Sequence, residues 1–575
     1  MSGGRKIVGQ KQLTILKLEE SILRPDSRHQ EAAMKKKTSV VTFIILAFLP
    51  IFFLAGCFQA AQDNSFDLII KGGRIYDGTA AKPRIADIGI KGDKIAAIGT
   101  FSGQATKTID AKGLIVTPGF IDVHSHTDLF LKEKGIRRVV AYIKPAINGN
   151  HNYLYQGVTT IITGNCSRGY TNTAKWLGWV DSLRFGTNVY HLAPAGAIRE
   201  ELFGQTKTLD ERQRNLWKKR LLKEMDNGAI GLSFDLAANP DQLLTREELA
   251  DIARSSKPYG AVISLHLRNS SGEPDSTGNP ALLSSLQEAV EISRISQTPV
   301  EISNLELTAP WNNLSYGQIN KIISEARQEG IDITADQTPY DADFDALTRF
   351  LPDQYLSSYE IKKDYTNPEG KKNIIKAIDK IFTSLGPEKF LIVSYPANKA
   401  YNGKTIRQIA TLEGRTPAEC YWEMVTASPA PMVVVSDSSD HFAKKIMSSP
   451  LVFTASEGIT YLRGSALPHP AYWGAFPRKL RKYAIEDKIV PLNDAIRSMT
   501  ALPAEKFKLR GRGQIAVGNF ADIAVLNLTK IREKSTFLQP EQYAEGVQYL
   551  VVNGILSIEN GRITGKKGGK ALKRI

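Results

Sequence analysis

At 575 residues the chain is long enough to bury a large core, and 42% hydrophobic with 23% charged residues excludes extensive disorder. The formal charge is +15, of which residues 1–56 carry nine Lys/Arg against four Asp/Glu, leaving about +10 for the remainder. No basic run is interleaved with aromatics, which argues against nucleic acid as a partner, and three cysteines are too few for a disulfide framework.

In chain order, the first legible element is an address. From Met34 three lysines precede an apolar run, Val40 to Ala55, that ends in small residues, the order of an export signal. Leu54-Ala55-Gly56-Cys57 then reads as a lipobox, which makes Cys57 the lipidated first residue of a mature envelope protein. Pro50 and the short apolar length argue against an uncleaved membrane helix. Residues 1–33 lie upstream of this complete signal (34–56) and read as a misassigned start. Phe58, rather than an aspartate, follows the cysteine, so the outer membrane, facing the periplasm, is the expected location.

After a linker, Gln59–Ser65, alternating β-type runs begin at Asp67, Ala86, Lys94 and Gly113. From about residue 119 short apolar strands (Thr159–Thr163, Ile230–Ser233, Val262–His266, Val300–Ser303, Ile331–Ala335, Leu451–Ala455) alternate with amphipathic helical stretches. That alternation predicts a (β/α)₈ TIM barrel over 119–507. Residues ~343–432 exceed a normal connection and predict an inserted helical lid over the barrel mouth. The tail returns to β texture at Phe520–Leu526 and Tyr549–Leu556, so 66–118 and 508–575 should pair as one small β-sandwich.

His124 and His126 sit two apart at the end of an apolar strand, where period-two geometry turns both imidazoles to one face and lets them grip one ion. Cys166, at the end of another strand, suits a ligand, a small buried hydrophobe or a disulfide to Cys420. His151, His191, His441 and His469 read as structural or surface residues, His469 lying near the mouth.

Nine segments carry a family resemblance: DLIIKGGRIYDG, TPGFIDVHSHTD, QGVTTIITGNC, NGAIGLS, HLRN, ADQTPYDA, HPAYWGAFPRKL, SMTALPAEKFKLRGRGQIAVGNFADIAV and LVVNG. From about Asp67 to Leu572 the chain resembles the amidohydrolase superfamily and, within it, the N-acyl-D-amino-acid deacylases. The resemblance implies one or two divalent ions, zinc above all, with His124, His126, Cys166 and His266 as ligands and Glu457 as the proton-transfer group. Arg268, Asn304, Glu306 and Tyr340 are the implied mouth residues for a small acylated amine or amide.

The match departs at working positions. Asn304 stands where the family has a ligand histidine, and Glu457 where it has an aspartate, one methylene shorter. Glu306 and Ala471 replace a lysine and an arginine implied in holding a substrate carboxylate, and Asp235 adds a further acid. Glu306 shares a strand face with Asn304 and so offers an oxygen ligand in its place. Two alternatives follow: an impaired, non-catalytic binding lipoprotein with little metal, or a hydrolase for cyclic or carboxylate-free D-residue amides.

Overall fold

The computed structural model describes residues 65–132, 144–307, 314–340, 342–351, 367–436, 441–460 and 468–574. The signal, Cys57 and most of the linker lie outside the described residues. Five strands come first: β1 (Ser65–Ile75), β2 (Arg84–Lys91), β3 (Lys94–Gly99), β4 (Gln104–Asp110) and β5 (Ile115–Pro118). Seven follow in alternation with helices: β6 (Phe120–Asp122), β7 (Val158–Thr163), β8 (Asn188–Pro194), β9 (Gly231–Asp235), β10 (Val262–His266), β11 (Val300–Ser303) and β12 (Ile333–Gln337). Next are β13 (Ala342–Ala346), β14 (Phe390–Ser394), β15 (Met432–Ser436) and β16 (Val452–Thr454). The tail holds β17 (Ile523–Leu526), β18 (Val547–Val552), β19 (Ile555–Glu559) and β20 (Arg562–Ile563).

Strands β6 to β12 and then β16 pair in parallel, in that order, as one eight-stranded sheet of the described residues. Its two edges meet at a parallel bridge between Ser125 and Gly458, so the ring is nearly closed as a barrel. Branched residues facing the helices, such as Ile161, Ile263, Val300, Ile302 and Ile333, are fully buried. The outer helices start where capping residues stop the chain from continuing as strand or loop. Asp210 with Gln213 and Thr245 with Glu248 satisfy otherwise orphaned N–H groups in reciprocal capping boxes.

Strand β8 is absent from the sequence expectation, because Pro194 and the polar pair Asn188 and His191 break its apolar run. Those polar groups are paired inside: the His191 ring nitrogens lie 2.9 Å from Thr163 Oγ1 and 3.0 Å from the Tyr170 carbonyl oxygen. His191 is therefore structural, as its sequence setting suggests.

The two chain ends combine into one β-rich body, as expected. Strand β17 pairs antiparallel with β5, which pairs with β1, so both ends belong to one nine-stranded sheet. That sheet curls on itself: the Ala521 and Gly518 N–H groups donate to the carbonyls of Asp93 and Ile95 beside β3. Leu68, Ile88, Ile523 and Val551 fill the interior it encloses.

The insertion is mixed rather than helical. Strands β13, β15 and β14 form a three-stranded antiparallel sheet. Helices Pro368–Leu385, Ile406–Glu413 and Pro417–Thr426 pack with it around Ile378, Phe390 and Tyr421. Strand β13 turns Phe344 against His469 and Phe537, with ring centroids 5.6 and 5.9 Å away, so this body meets the segments that flank the barrel. No helix among the described residues is long and apolar enough to cross a membrane.

The barrel interior is unusually polar on one side. In register, Ser264, Glu301 and Thr334 form one layer across β10, β11 and β12, and His266, Ser303 and Asp336 continue those strands toward their C-terminal ends. Outside the ring, Lys479 opens a π-helix (Lys479–Glu486) with its side chain fully buried, its ammonium donating to the Met447 carbonyl. Burial without a carboxylate pushes this lysine down to about 7 from its ordinary 10.5. The charged form is thus penalised in the folded state below pH 7, and the penalty disappears as pH rises from about 7 towards 10.5. Lys479→Met should therefore raise the urea midpoint at pH 6, by at least about 1 kcal/mol of stability, and by less at pH 9.5. Equal gains at both pH values would show that the lysine stays charged in the fold and that burial does not lower it.

Candidate metal centre

Four of the predicted residues converge at the C-terminal ends of the barrel strands, the face where barrel chemistry is built. His124 follows β6, and its Nε2 lies 3.3 Å from His126 Nε2 and 3.2 Å from Cys166 Sγ. The ligand atoms of His124, His126 and Cys166 all fall within 4.8 Å of one another. His266, at the end of β10, joins them through a hydrogen bond to the Cys166 sulfur. Cys166 and Cys420 are both free, and Cys420 is buried in the core of the insertion, so the disulfide alternative is excluded.

The backbone is bent to make this convergence possible. Cys166 (φ 51°), Ser167 (54°), Asn304 (57°) and Glu457 (52°) are all left-handed, each just beyond the end of a barrel strand. Asparagine tolerates that region, but for the others it costs about 1–2 kcal/mol per residue. The turns are held by hydrogen bonds: Ser167 Oγ donates to the Ser233 carbonyl (3.2 Å), and the Asn304 N–H donates to Asp336 Oδ1 (2.9 Å). At Glu457 the flanking residues do the holding. Ser456 donates its hydroxyl to Asp122 Oδ2 and its N–H to Asp122 Oδ1, and Gly458 N–H donates to Ser456 Oγ at 2.9 Å. A Cβ on Gly458 would stand 2.7 Å from the Tyr153 hydroxyl, so only glycine fits that position.

Electrostatics agree with a cation site. Burial alone would raise the Cys166 thiol, but the adjacent His124 imidazole and hydrogen bonds from His124, His126 and His266 hold it well below its ordinary value. Burial likewise opposes charge on His266, yet the Cys166 thiolate overrides it and lifts the imidazole to about 9. Behind the cluster, His124 Nδ1 lies 3.0 Å from Ser303 Oγ and 3.4 Å from the fully buried Asp336 carboxylate. A carboxylate behind a histidine fixes the tautomer that turns Nε2 toward a metal. Burial first, and then Asp336, push the neighbouring Glu301 carboxyl well above its usual range, and Ser264 donates to it at 2.9 Å.

These residues fit a divalent ion. A tetrahedral ion with metal–nitrogen bonds of about 2.0–2.1 Å separates two imidazole nitrogens by roughly 3.3 Å, the spacing found between His124 and His126. The His126 and His266 Nδ1 atoms are buried without a hydrogen-bond partner, so each ring is held by its other nitrogen toward the cluster.

The remaining predicted residues divide. Glu457 is half-buried beside the cluster, where burial and Asp336 raise its carboxyl while His124 and His266 lower it. Glu306 does not join the close ligand group; it is bonded to Asn304 and faces Glu457 and Asp343. Burial first, then those two carboxylates, push it up to about 8. The close group of His124, His126 and Cys166 forms without Glu306, which stands beside His266. Arg268 is drawn away from the mouth: its guanidinium makes a bidentate pair with Glu288 (3.0 and 2.8 Å) and donates to the carbonyls of Gln242 and Leu244. Asp235 faces the exposed Arg168 at 3.8 Å.

Tyr340 and His469 belong to an aromatic cluster with Phe344 and Phe537, and Arg478 lies over the Tyr340 ring. Burial, then Arg478, hold His469 down to about 3, so it is neutral, its Nδ1 accepting from the Ala471 N–H at 3.1 Å. The side chain of His441 lies outside the described residues. Residue-by-residue reading missed Asp122, Ser456, Asp336 and Glu301. Asp122 and Asp336 lie inside the conspicuous segments TPGFIDVHSHTD and ADQTPYDA, and their being carboxylates on otherwise apolar strands was the available signal.

Comparison with known proteins follows the same lines. The amidohydrolase family model matches residues 463–557. A D-aminoacylase of Alcaligenes xylosoxydans xylosoxydans is 28% identical over 545 residues, 89% of this chain and 99% of that protein. An N-acyl-D-glutamate deacylase of the same organism is 27% identical, covering 86% and 94%. Among solved structures, a D-aminoacylase superposes with a TM-score of 0.69 at 25% identity, over 88% of this chain and 100% of that one. The N-acyl-D-glutamate deacylase of Bordetella bronchiseptica, solved with zinc and a phosphonate inhibitor, has a TM-score of 0.68 at 23% identity with the same coverage and shares the fold.

Cys166→Ala is expected to lower the metal content of the purified protein at least tenfold under mild chelation, as is His124→Ala, whereas Glu306→Ala should retain it; elemental analysis reads all three. Loss of metal in Glu306→Ala would restore that residue as a ligand.

Proposed function

Since the chain carries an amidohydrolase domain and is a D-aminoacylase-like, metal-dependent hydrolase, we propose that it releases a D-residue amine from its acyl group, with zinc held by His124, His126, Cys166 and His266. The observation that carries this reading is the half-buried carboxylate of Glu457 set beside His124 and His266. A divalent ion bound there supplies Lewis acidity toward water and an amide carbonyl.

The chain's own groups do the rest. Asp336 and Ser303 hold His124 from behind, and Asp122 holds the turn that carries Glu457. Glu457, as carboxylate, removes a proton from the attacking water. The C–O bond forms as the carbonyl becomes tetrahedral, and the same proton is delivered to the nitrogen as the C–N bond breaks. The products are a carboxylic acid and a free amine. The aromatic cluster of Tyr340, Phe344, His469 and Phe537 offers an apolar wall for the acyl or side-chain portion of the substrate.

Glu457→Gln should cut kcat/KM for N-acetyl-D-amino acids or their amides by about 10²–10⁴ while the protein stays folded and metal-loaded. Amine release measured across acylated D and L substrates checks this. Undiminished turnover in the variant would remove Glu457 from the chemistry.

The location is part of the same proposal: residues 34–56 direct export and Cys57 anchors the enzyme by lipid in the cell envelope, facing the periplasm, with outer-membrane sorting suggested by Phe58. The support is the charge–apolar–small order and the Leu-Ala-Gly-Cys ending. Cys57→Ala should abolish incorporation of a radiolabelled fatty acid and move the protein from the membrane to the soluble fraction. Labelling that persists in the variant would refute the anchor.

A further inference from the structure

The mouth of the site presents hydrogen-bond acceptors where a substrate must be gripped. Glu306 and Asn304 stand together beside His266, on the chain leaving β11. The Asn304 amide is turned with its nitrogen toward Glu306, which leaves Oδ1 buried and without a partner. Asn304 is 9% exposed, so water has little access to that oxygen. Asp343 and Glu457 face Glu306 from two other segments and add the same sign of charge.

Among the described residues, Arg268, Arg478 and Arg168 are committed elsewhere. Arg268 is held by Glu288 and two carbonyls, and Arg478 by Glu533 (2.8 Å) and the Pro339 carbonyl (2.6 Å). Arg168 is 68% exposed and faces Asp235. Ala471 is fully buried and brings no charge.

We propose that Glu306 and Asn304 form a subsite for an N–H donor, so that the substrate carries a carboxamide or an ammonium, rather than a free carboxylate, beside the scissile amide. A substrate carboxylate brings no proton to the buried Asn304 oxygen, whereas an amide N–H₂ donates both to it and to Glu306. Glu306 is thus a specificity-determining residue, and Asn304, in its left-handed turn, is its orienting partner.

This inference rests on the hydrolase reading, and binding separates the two. Calorimetric titration of N-acetyl-D-leucinamide and N-acetyl-D-leucine into full-length, metal-loaded Glu457→Gln protein compares the ligands without turnover. The amide is expected to bind at least tenfold more tightly. Glu306→Lys in the same background should invert the preference, and Glu306→Gln should reduce it, with thermal melts confirming that each variant is folded. Equal or tighter binding of the acid, binding of neither ligand, or a ratio unmoved by Glu306→Lys overturns the proposal. Amine release by the unsubstituted enzyme, read in parallel, reports on the hydrolase reading separately.

Discussion

The barrel closes, and its active face assembles, at one seam. Among the described residues the β6 and β16 segments share a single β-bridge, Ser125–Gly458, and Asp122 adds hydrogen bonds across the seam. Its carboxyl accepts the N–H groups of His124 and Ser456 at 3.2 Å each, together with the Ser456 hydroxyl. One buried group therefore ties His124 to the turn that carries Glu457. Burial raises that carboxyl to about 7, and the hydrogen bonds it accepts oppose the rise. The seam is costly in desolvation and is retained where geometry between two functional groups has to be fixed.

Strain and charge are concentrated on the same rim. Four left-handed residues, three of them not asparagine, occur in turns that deliver Cys166, Asn304 and Glu457 inward. Their conformational cost is offset by turns bonded to the barrel wall and by the large core beneath them. Below the rim, Asp336 and Glu301 put two carboxyl groups into a barrel interior that elsewhere is filled by Ile121, Ile162, Leu192 and Phe453. A polar file of this kind is tolerated when its charges converge on a cation, because an unpaired buried acid would otherwise take up a proton.

Much of the fold was legible in the chain alone. Apolar runs at Val262–His266 and Val300–Ser303 match β10 and β11 residue for residue, because both strands are buried on two faces and bounded by loops. Strand β8 escaped notice because Asn188, His191 and Pro194 interrupt the hydrophobic pattern, and their partners (Thr163, Tyr170, Asn553) are distant in sequence. The insertion looked helical because its three helices are long and amphipathic, whereas its strands have five residues each and pair across gaps of more than thirty residues.

For the site, identities were readable and availability was not. Strand-end position and two-residue spacing, which are local properties, singled out His124 and His126, and the family resemblance added Cys166 and His266 as candidate donors. It also determined that the mouth holds Glu306 and Ala471. Only the tertiary structure decided which charged groups remain free to act. Arg268 is held by Glu288, His469 is neutral among aromatic rings, and Glu306 faces Glu457 and Asp343 as well as His266. Spacing along a strand specifies direction, but pairing, desolvation and field depend on residues brought together from twenty to more than a hundred positions away, which no local pattern encodes.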